Sequence, residues 1–369
     1  MGDIYPKAKV AATAIAPVYW DRGATAQKAI KYILEAGENG ANIIGFPEAF
    51  IPGYPWWIWF GDPSWGLKFY KELHENAVEI PSPTTDALCD AAKKAETYVV
   101  MGLSERKGGT LYCSQLYINP HGEIMGIHRK LKATHVERSI WGDGGYLQVF
   151  DTEYGKLGGL NCFEHLMPLT RYAMYYLGEQ IHVASWPAFS MKIGYTFTAP
   201  PAVYATRHMA AEGAVFALMC SQLITKEVLE KICDTPEKAQ MAEAGGAWAE
   251  IIAPDGQTLG TTITENNEGI IYAEIDLGES IYMKNACDTV GHYTRPDLLQ
   301  LLFNRETPTP VIEETSGKIT LATKQLNQLL SNYESLKKQI EKSGDRESIN
   351  TALRFEQELK DLGLPPKKA

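Results

Sequence analysis

Residues 157–165 have the sequence LGGLNCFEH, an apolar run with two glycines that ends in a cysteine, a glutamate and a histidine. The first part of the run has the composition of a buried strand, and the residues from Leu166 to Leu177 have helical spacing. Cys162 therefore stands where a predicted strand passes into a predicted helix. A rigid scaffold holds side chains at such a junction and presents them to a loop, so the junction predicts a functional site.

Short β-rich runs alternate with amphipathic stretches of helical length on both sides of this junction, from residue 8 to about residue 277. The alternation predicts a layered α/β fold. We predict helices over residues 25–36, 65–77, 85–95, 166–177 and 200–212. We predict strands over residues 10–18, 41–47, 98–105, 111–119, 124–130, 157–162, 181–186, 215–221, 247–253 and 270–275.

The composition restricts the possible partners. The 369 residues include 35 Lys and Arg against 45 Asp and Glu, and 45% are hydrophobic, which is enough for a large buried core. Nucleic-acid-binding proteins concentrate basic residues, so the net charge of −10 predicts no nucleic acid partner. There is no apolar run of about 18 residues and no apolar core of a signal peptide at the N-terminus. We therefore expect a cytoplasmic protein without a membrane partner.

The six cysteines, at positions 89, 113, 162, 220, 233 and 287, show no CxxC pair and no regular spacing. This pattern argues against a zinc site and a disulfide framework, and we expect neither a metal nor a cofactor. A cysteine in an apolar strand is more often a packing residue than a nucleophile. Cys162 differs from the other five because glycines beside it allow close backbone approach and because a helix N-terminus after it favours a thiolate.

Two other predicted strand ends carry charges, Glu48 after residues 41–47 and Lys130 at the end of residues 124–130. Either residue alone is most simply a solvated surface charge. A thiol nucleophile, however, needs a base, and the negative charge or imine that it creates needs a cation nearby. The combination of Glu48, Lys130 and Cys162 therefore predicts covalent catalysis.

The segments around these three residues resemble a known family. FPE at residues 46–48, HRKL at 128–131 and NCFEH at 161–165 have the order and separation of the Glu-Lys-Cys triad of the nitrilase superfamily. The resemblance covers roughly residues 8–305. Further stretches resemble its nitrilase branch, which includes cyanide dihydratases: FIPGYP at 50–55, THVER at 134–138, HVASWP at 182–187 and VGHY at 290–293.

The resemblance implies a four-layer αββα sandwich, with the catalytic domain at residues 1–305. It assigns Cys162 as the nucleophile, Glu48 as general base and acid, Lys130 as the stabiliser of developing charge and Glu137 as an orienting carboxylate. It also implies that an organic nitrile is hydrolysed to a carboxylic acid and ammonia through a thioimidate and a thioester, with some amide as a by-product.

We predict that Tyr54, Phe163, Trp186 and Pro187 bind the substrate. The many aromatic residues after Glu48 and around Trp186 and Phe189 slightly favour an aromatic or arylaliphatic nitrile over free cyanide. Trp56, Trp57 and Trp59 fit a core or an interface at least as well. Phe163 stands where nitrilases commonly have tryptophan, and the loop over 141–145 is shorter than their usual glycine-rich form.

Several alternatives remain at this stage. An amidase of the same superfamily would share the triad, and a cyanide dihydratase would act on cyanide itself. A Cys-His enzyme built from Cys162 and His165 is disfavoured, because such dyads come from distant chain segments. A structural filament protein is the non-enzymatic alternative.

The C-terminal residues have a different pattern from the rest of the chain. Residues 306–318 predict a linker, and residues 319–369 predict a helical tail with apolar a/d stripes, at 322, 326, 329, 333, 336 and 340 and again at 349, 352, 355, 359 and 362. The tail either packs on its own body or serves as an oligomerisation arm. The family resemblance implies a homo-oligomer in which dimers build into spirals or filaments.

Overall fold

The computed structural model describes residues 4–193 and 195–305, together with residues 333, 337, 338 and 342. The chain divides into two units, Met1–Glu306 and Thr307–Ala369, and the first of them is described below. The predicted linker and the heptad stripes of the tail lie outside the described residues apart from those four positions. Within the described part of the chain, no helix is both long and apolar enough to cross a bilayer.

Every strand and helix predicted between residues 8 and 277 coincides with an observed one. Three short 3₁₀ turns occupy Trp56–Trp59, His135–Ser139 and Cys162–Leu166. The helices are α1 (Arg22–Glu38), α2 (Pro63–Asn76), α3 (Pro83–Ala95), α4 (Pro168–Tyr176), α5 (Ala199–Gly213), α6 (Lys226–Ile232), α7 (Pro236–Ala239) and α8 (Glu279–Ala286). The strands are β1 (Lys7–Ala14), β2 (Ile43–Gly45), β3 (Tyr98–Lys107), β4 (Thr110–Ile118), β5 (Ile124–Arg129), β6 (Phe150–Thr152), β7 (Gly155–Asn161), β8 (Ile181–Trp186), β9 (Met191–Ile193), β10 (Tyr195–Phe197), β11 (Phe216–Ser221), β12 (Ala247–Ile252), β13 (Thr258–Glu265) and β14 (Gly269–Asp276).

Several helices begin where local chemistry requires it. Asp21 caps α1 by accepting a hydrogen bond from the Ala24 amide, and Ser82 forms a capping box at the start of α3. Pro168 occupies the first turn of α4, where its missing amide hydrogen costs nothing. The helix predicted over 166–177 therefore starts later than expected.

Within the described residues, twelve of the fourteen strands form two groups of six, and β9 and β10 pair with each other. The first has the order β5-β4-β3-β2-β1-β14 and the second has the order β13-β12-β11-β8-β7-β6. Strands β1 and β2, β11 and β8, and β8 and β7 run parallel, so their carboxyl ends meet at one edge. The described backbone links the two groups through a single pairing, Ala14 with Ser221.

Alternation along the strands separates the layers. Val10 and Ala12 of β1 pack with Leu218 of β11 in the layer between the sheets. Ala11 of β1 points the opposite way and packs with α1 and α3, whereas Met219 of β11 packs with α5. Strands buried on both faces are expected to be apolar throughout. The order helices, sheet, sheet, helices is the predicted four-layer αββα sandwich.

Glycine allows the two sheets to approach closely at one point. A Cβ atom on Gly45 would lie 2.8 Å from Val183 Cγ1 and 2.9 Å from Cys220 Sγ. Gly45 is the last residue of β2, and the chain reaches Glu48 three residues later. The close approach therefore fixes the position from which Glu48 is presented.

Candidate active site

Four predicted catalytic side chains come together at the carboxyl ends of strands. Glu48 follows β2, Lys130 directly follows β5, Cys162 directly follows β7, and Glu137 lies on the 3₁₀ turn His135–Ser139. None of the four is more than 4% exposed. The site is therefore nearly shielded from bulk water, which strengthens every charge interaction within it.

Lys130 is the centre of this group. Its Nζ lies 2.7 Å from Glu48 Oε1 and 2.7 Å from Glu137 Oε2. One oxygen of each carboxylate and the sulfur of Cys162 all lie within 4.8 Å of one another. Those three side chains could also bind a metal, but an ion there would meet the ammonium of Lys130, a like charge, in contact with both carboxylates.

Glu137 is anchored at both oxygens. Tyr54 donates its hydroxyl hydrogen to Oε1 at 2.7 Å, and the Thr134 amide donates to Oε2 at the same distance. Trp59 donates in turn to the hydroxyl of Tyr54 at 3.3 Å. The carboxylate that orients Lys130 is therefore itself held in one position, as expected for an orienting group.

Glu48 has one engaged oxygen and one unengaged oxygen. Oε1 accepts from Lys130 and, at 3.4 Å, from the thiol of Cys113. Oε2 is buried and has no hydrogen-bond partner among the described residues. The backbone is fixed as well, because Gln222 Nε2 donates to the Glu48 carbonyl at 2.6 Å. Oε2 is thus the oxygen left for a reacting proton.

The charges of the site shift its pKa values. Burial, together with the charge of Glu137, raises the pKa of Glu48 to about 7 even though Lys130 acts in the opposite direction. Burial opposes the charge of Lys130, but Glu137 and Glu48 outweigh it and hold its pKa well above the ordinary value. A carboxylate poised near neutrality and a permanent cation are suited to general base catalysis and charge stabilisation.

The Cys162 thiol does not match the expectation from sequence. Burial, followed by the charge of Glu48, raises its pKa well above the ordinary value. The helix N-terminus invoked from the sequence is the five-residue 3₁₀ turn Cys162–Leu166, not the start of α4. The resting site therefore does not favour the thiolate that the sequence predicted.

Cys162 adopts a left-handed backbone conformation with φ of 50°. Ala49, beside Glu48, and His135, at the start of the turn that carries Glu137, share this conformation with φ of 47° and 46°. Each such residue stores about 1–3 kcal/mol of strain and persists only where surrounding contacts fix it. The strained positions mark three of the four segments that form the site.

Glu164 joins two of these segments. Its buried carboxylate accepts from the amides of Leu131 and Asn161, both at 2.8 Å, and contacts His128 Nε2 at 3.0 Å. Burial opposes its ionisation, but His128 and the backbone donors outweigh burial and lower its pKa. One carboxylate therefore ties the residue after Lys130 to the residue before Cys162.

His165 is not the partner of the Cys162 sulfur. Its Nδ1 lies 2.6 Å from the Cys162 carbonyl oxygen, and its Nε2 lies 2.9 Å from His182 Nε2. Both ring nitrogens are occupied away from the thiol. A Cys-His dyad built from these two residues is therefore contradicted.

A small cavity of about 20 Å³ opens beside Cys162 and Glu137. Two of the four predicted substrate-binding residues, Tyr54 and Pro187, line it together with Trp56, Trp59, Thr134 and Ala188. Phe163 and Trp186 are not among its lining residues; both belong to the apolar cluster packed on α5. Trp56 and Trp59 lie two and five residues after Tyr54. The run of aromatic residues in this segment was therefore the sequence signal that could have identified them as lining residues.

The comparisons with known proteins agree with this geometry. The family profile described as carbon-nitrogen hydrolase matches residues 9–284. The chain is 45% identical to a nitrilase from Bacillus sp. (strain OxB-1) over 309 residues, which cover 83% of this chain and 91% of that protein. It is 45% identical to an aliphatic nitrilase from Rhodococcus rhodochrous over 308 residues, 82% of this chain and 84% of that protein.

A solved structure is similar in fold. The crystal structure of Saccharomyces cerevisiae Nit3, described as a member of branch 10 of the nitrilase superfamily, superposes with a TM-score of 0.61 at 22% identity. The superposition covers 78% of this chain and 96% of that one. At this identity the likeness supports the αββα arrangement alone.

Proposed function

This chain belongs to the carbon-nitrogen hydrolase family, and we propose that it is a nitrilase in which Cys162 attacks the nitrile carbon. The observation that carries the proposal is the buried group in which the Lys130 ammonium bridges Glu48 and Glu137 within reach of the Cys162 sulfur. Nucleophile, base and cation are the three parts that addition to a carbon-nitrogen triple bond requires.

The first step is addition of the thiol. Because Cys162 is protonated at rest, Glu48 takes its proton as sulfur bonds to the nitrile carbon, and Oε2 is the oxygen free to accept it. Glu48 then gives this proton to the nitrile nitrogen, which yields a covalent thioimidate. Lys130 offsets the negative charge that develops on nitrogen during attack.

Two waters complete the reaction. The first, deprotonated by Glu48, adds to the thioimidate carbon and gives a tetrahedral species with amino and hydroxyl groups on that carbon. Expulsion of ammonia leaves a thioester, and the second water releases the carboxylic acid and restores the thiol. If the carbon-sulfur bond of the tetrahedral species breaks first, an amide is the product.

The lining of the cavity suits an uncharged substrate. Tyr54, Trp56 and Trp59 present apolar ring surface to it, which suits an uncharged aliphatic group. The likeness to an aliphatic nitrilase supports a short aliphatic nitrile as the first substrate to test, and the aromatic or arylaliphatic preference suggested by the sequence stays a prediction.

Parallel assays distinguish the enzymatic rivals. The purified protein is given a short aliphatic nitrile, the matching amide and cyanide, and ammonia is measured together with the acid, amide or formate formed. We expect the nitrile to be converted mainly to acid. Faster release of ammonia from the amide would identify an amidase, and formate from cyanide as the main activity would identify a cyanide dihydratase.

Assembly and location are finer proposals. We propose a homo-oligomer, supported by the apolar stripes of residues 322–362, and removal of the residues after 312 tests the tail by comparison of particle mass. An unchanged mass would assign the tail to packing on its own body. The cytoplasmic location expected from the sequence stays a prediction.

A further inference from the structure

A chain of buried hydrogen bonds ends on the backbone of the nucleophile. Glu179 Oε1 lies 2.8 Å from His182 Nδ1, His182 Nε2 lies 2.9 Å from His165 Nε2, and His165 Nδ1 lies 2.6 Å from the Cys162 carbonyl oxygen. Glu179, His182 and His165 are each at most 1% exposed. The mechanism described above uses none of these three side chains.

The donor and acceptor capacities of these groups determine which atom carries the hydrogen in each of the three hydrogen bonds. The Cys162 carbonyl can only accept, so Nδ1 of His165 carries a hydrogen. If both histidines are neutral, Nε2 of His165 accepts, and Nε2 of His182 must then carry the hydrogen between the two rings. Nδ1 of His182 is left as an acceptor. Glu179 must therefore hold the proton at the far end of the chain.

A charged arrangement, with a Glu179 carboxylate and an imidazolium at either His165 or His182, would satisfy the same contacts. Two observations oppose it. Arg171 Nη1 donates to the His165 carbonyl at 2.8 Å, which brings a guanidinium charge close to that ring. Glu179 Oε2 has no hydrogen-bond partner among the described residues, a costly position for a buried carboxylate.

The titration behaviour agrees with the neutral arrangement. Burial raises the pKa of Glu179 well above its ordinary value, with His128 acting weakly in the opposite direction. Burial lowers the pKa of His165 and of His182 to about 3, and their neighbours His182 and His128, respectively, act in the same direction. Glu164 opposes these shifts in both rings but does not outweigh burial.

We propose that Glu179, His182 and His165 are positioning residues: a neutral, proton-ordered chain that holds the Cys162 carbonyl and so fixes the left-handed turn that aims the thiol. The functional part of the proposal rests on the nitrilase reaction proposed above. A hydrogen bond at the strained peptide is the kind of support that such a conformation needs.

Two neighbours make room for the chain and support it. A Cβ atom on Gly158 would lie 2.2 Å from Glu179 Oε1, so a larger residue there would displace the carboxyl group at the outer end of the hydrogen-bond chain. The ring of His165 stacks on Trp186 with centroids 4.9 Å apart and planes 23° apart. Trp186, predicted from the sequence to bind substrate, is therefore placed to hold the His165 ring.

The first test determines which ring nitrogens of His165 and His182 carry a proton. The resting wild-type protein is labelled with ¹⁵N-histidine and its ring nitrogens are followed by long-range ¹H–¹⁵N correlation at neutral pH, with His165→Asn and His182→Asn for assignment. We expect His165 to be protonated at Nδ1 alone and His182 at Nε2 alone. The opposite tautomers, or an imidazolium at either residue, would overturn the proton order.

The second test measures how substitutions of His165 change kcat and KM. Phe at position 165 keeps a ring against Trp186 but has no donor, whereas Asn can place an amide hydrogen near the position of Nδ1. We expect His165→Phe to lower kcat by roughly 10²-fold with KM unchanged, and His165→Asn to recover most of the loss. The positioning role would be refuted if His165→Phe had the kcat of the wild type. It would also be refuted if His165→Phe and His165→Asn were both folded and lost the same fraction of kcat.

A third measurement does not depend on nitrile turnover. The rate at which iodoacetamide alkylates Cys162 is followed by mass spectrometry in the wild type and both variants. If no nitrile is hydrolysed but alkylation slows in His165→Phe and recovers in His165→Asn, the proposed function fails and the positioning chain stands. Equal alkylation rates in all three proteins would refute the positioning role of the hydrogen-bond chain, even if the protein is an active nitrilase.

Discussion

At the scale of single residues, the division of work between the two oxygens of Glu48 is the feature with the clearest chemical consequence. Oε1 is engaged by Lys130 and Cys113, and Oε2 is free within the described residues. A carboxylate with a pKa of about 7 is half ionised near neutrality, so small changes around it alter the fraction able to accept a proton.

Replacement of Cys113 by alanine tests this arrangement. The thiol donates to Oε1, stabilises the charged form and so lowers the pKa of Glu48. Its removal raises that pKa, so we expect the acidic limb of the kcat/KM profile to move to higher pH. Cys113→Ser keeps a donor and should leave the limb in place.

Cys89→Ala is the control for this experiment, because Cys89 is a partly buried free thiol on α3, outside the group of site residues. Its acidic limb should coincide with that of the wild type. If the acidic limb of the kcat/KM profile of Cys113→Ala coincided with that of the wild type, the thiol would not influence the pKa of Glu48.

Glu164 gives a stability prediction. Its lowered pKa means that its ionised form stabilises the folded state above the ordinary glutamate pKa of 4.5 and that this contribution is lost as the pH falls through the folded-state pKa. Glu164→Gln removes a buried charge that two amides and His128 contact, so we expect a loss of about 3 kcal/mol at neutral pH.

Urea unfolding at neutral pH and below pH 4.5 checks this prediction. The difference between the wild type and Glu164→Gln should shrink at the lower pH, because the wild type loses the same contribution there. The exposed pair Lys71–Glu75 supplies the control, and Glu75→Gln should change stability by less than about 0.5 kcal/mol. A difference that is constant with pH would contradict an ionised Glu164.

At the scale of elements, strand β7 must carry glycine to bring Cys162 into place. A Cβ atom on Gly159 would lie 2.6 Å from the Val183 carbonyl oxygen on the neighbouring strand and 2.9 Å from the Tyr117 hydroxyl. Gly159→Ala should therefore cost about 1–3 kcal/mol and lower the Tm. Gly109→Ala, where no atom lies within 4 Å, is the control, and equal Tm values for the two variants would contradict the prediction.

The elements that could be predicted from sequence are those with a strong pattern of their own. Strands such as β8 and β11 are rich in apolar residues and buried along their whole length, and each lies within a residue of its predicted bounds. Strand β13 is half exposed, lacks such a run and was missed. Strand β1 ends at Ala14, four residues before its predicted end.

The residues of the site also differ in how well the sequence predicts them. Glu48, Lys130, Glu137 and Cys162 were predicted because short motifs surround them. The contact of Cys113 with Glu48, 65 residues away in the sequence, depends on how strands β2 and β4 are positioned, and no local pattern encodes it. The predicted thiolate is not favoured at rest, because the burial of Cys162 and the charge of Glu48 that oppose it exist only in the folded chain.

At the scale of the whole molecule, the first unit exposes apolar side chains on one pair of helices. Leu169 and Tyr176 of α4 and Tyr204 of α5 are each at least 63% exposed. Exposed apolar groups that share a surface mark association sites. We expect this helical face to pair two copies of the chain, as the family resemblance implies.

Sedimentation analysis of Tyr204→Asp tests the pairing, because an aspartate buried between two copies would be unpaired and costly. The particle mass should fall relative to the wild type. Tyr282→Asp, on the exposed face of α8, is the control and should leave the mass unchanged. An equal mass for the wild type and Tyr204→Asp would place the interface elsewhere.

The nucleophile itself can be observed most directly by mass spectrometry during turnover. The protein is quenched while it hydrolyses a slow aliphatic nitrile, its intact mass is measured and the modified peptide is mapped, with Cys162→Ala and Cys220→Ala alongside. The mechanism predicts a thioimidate or thioester adduct on the peptide that contains Cys162, retained in Cys220→Ala and lost together with ammonia release in Cys162→Ala. Continued ammonia release by Cys162→Ala would contradict it.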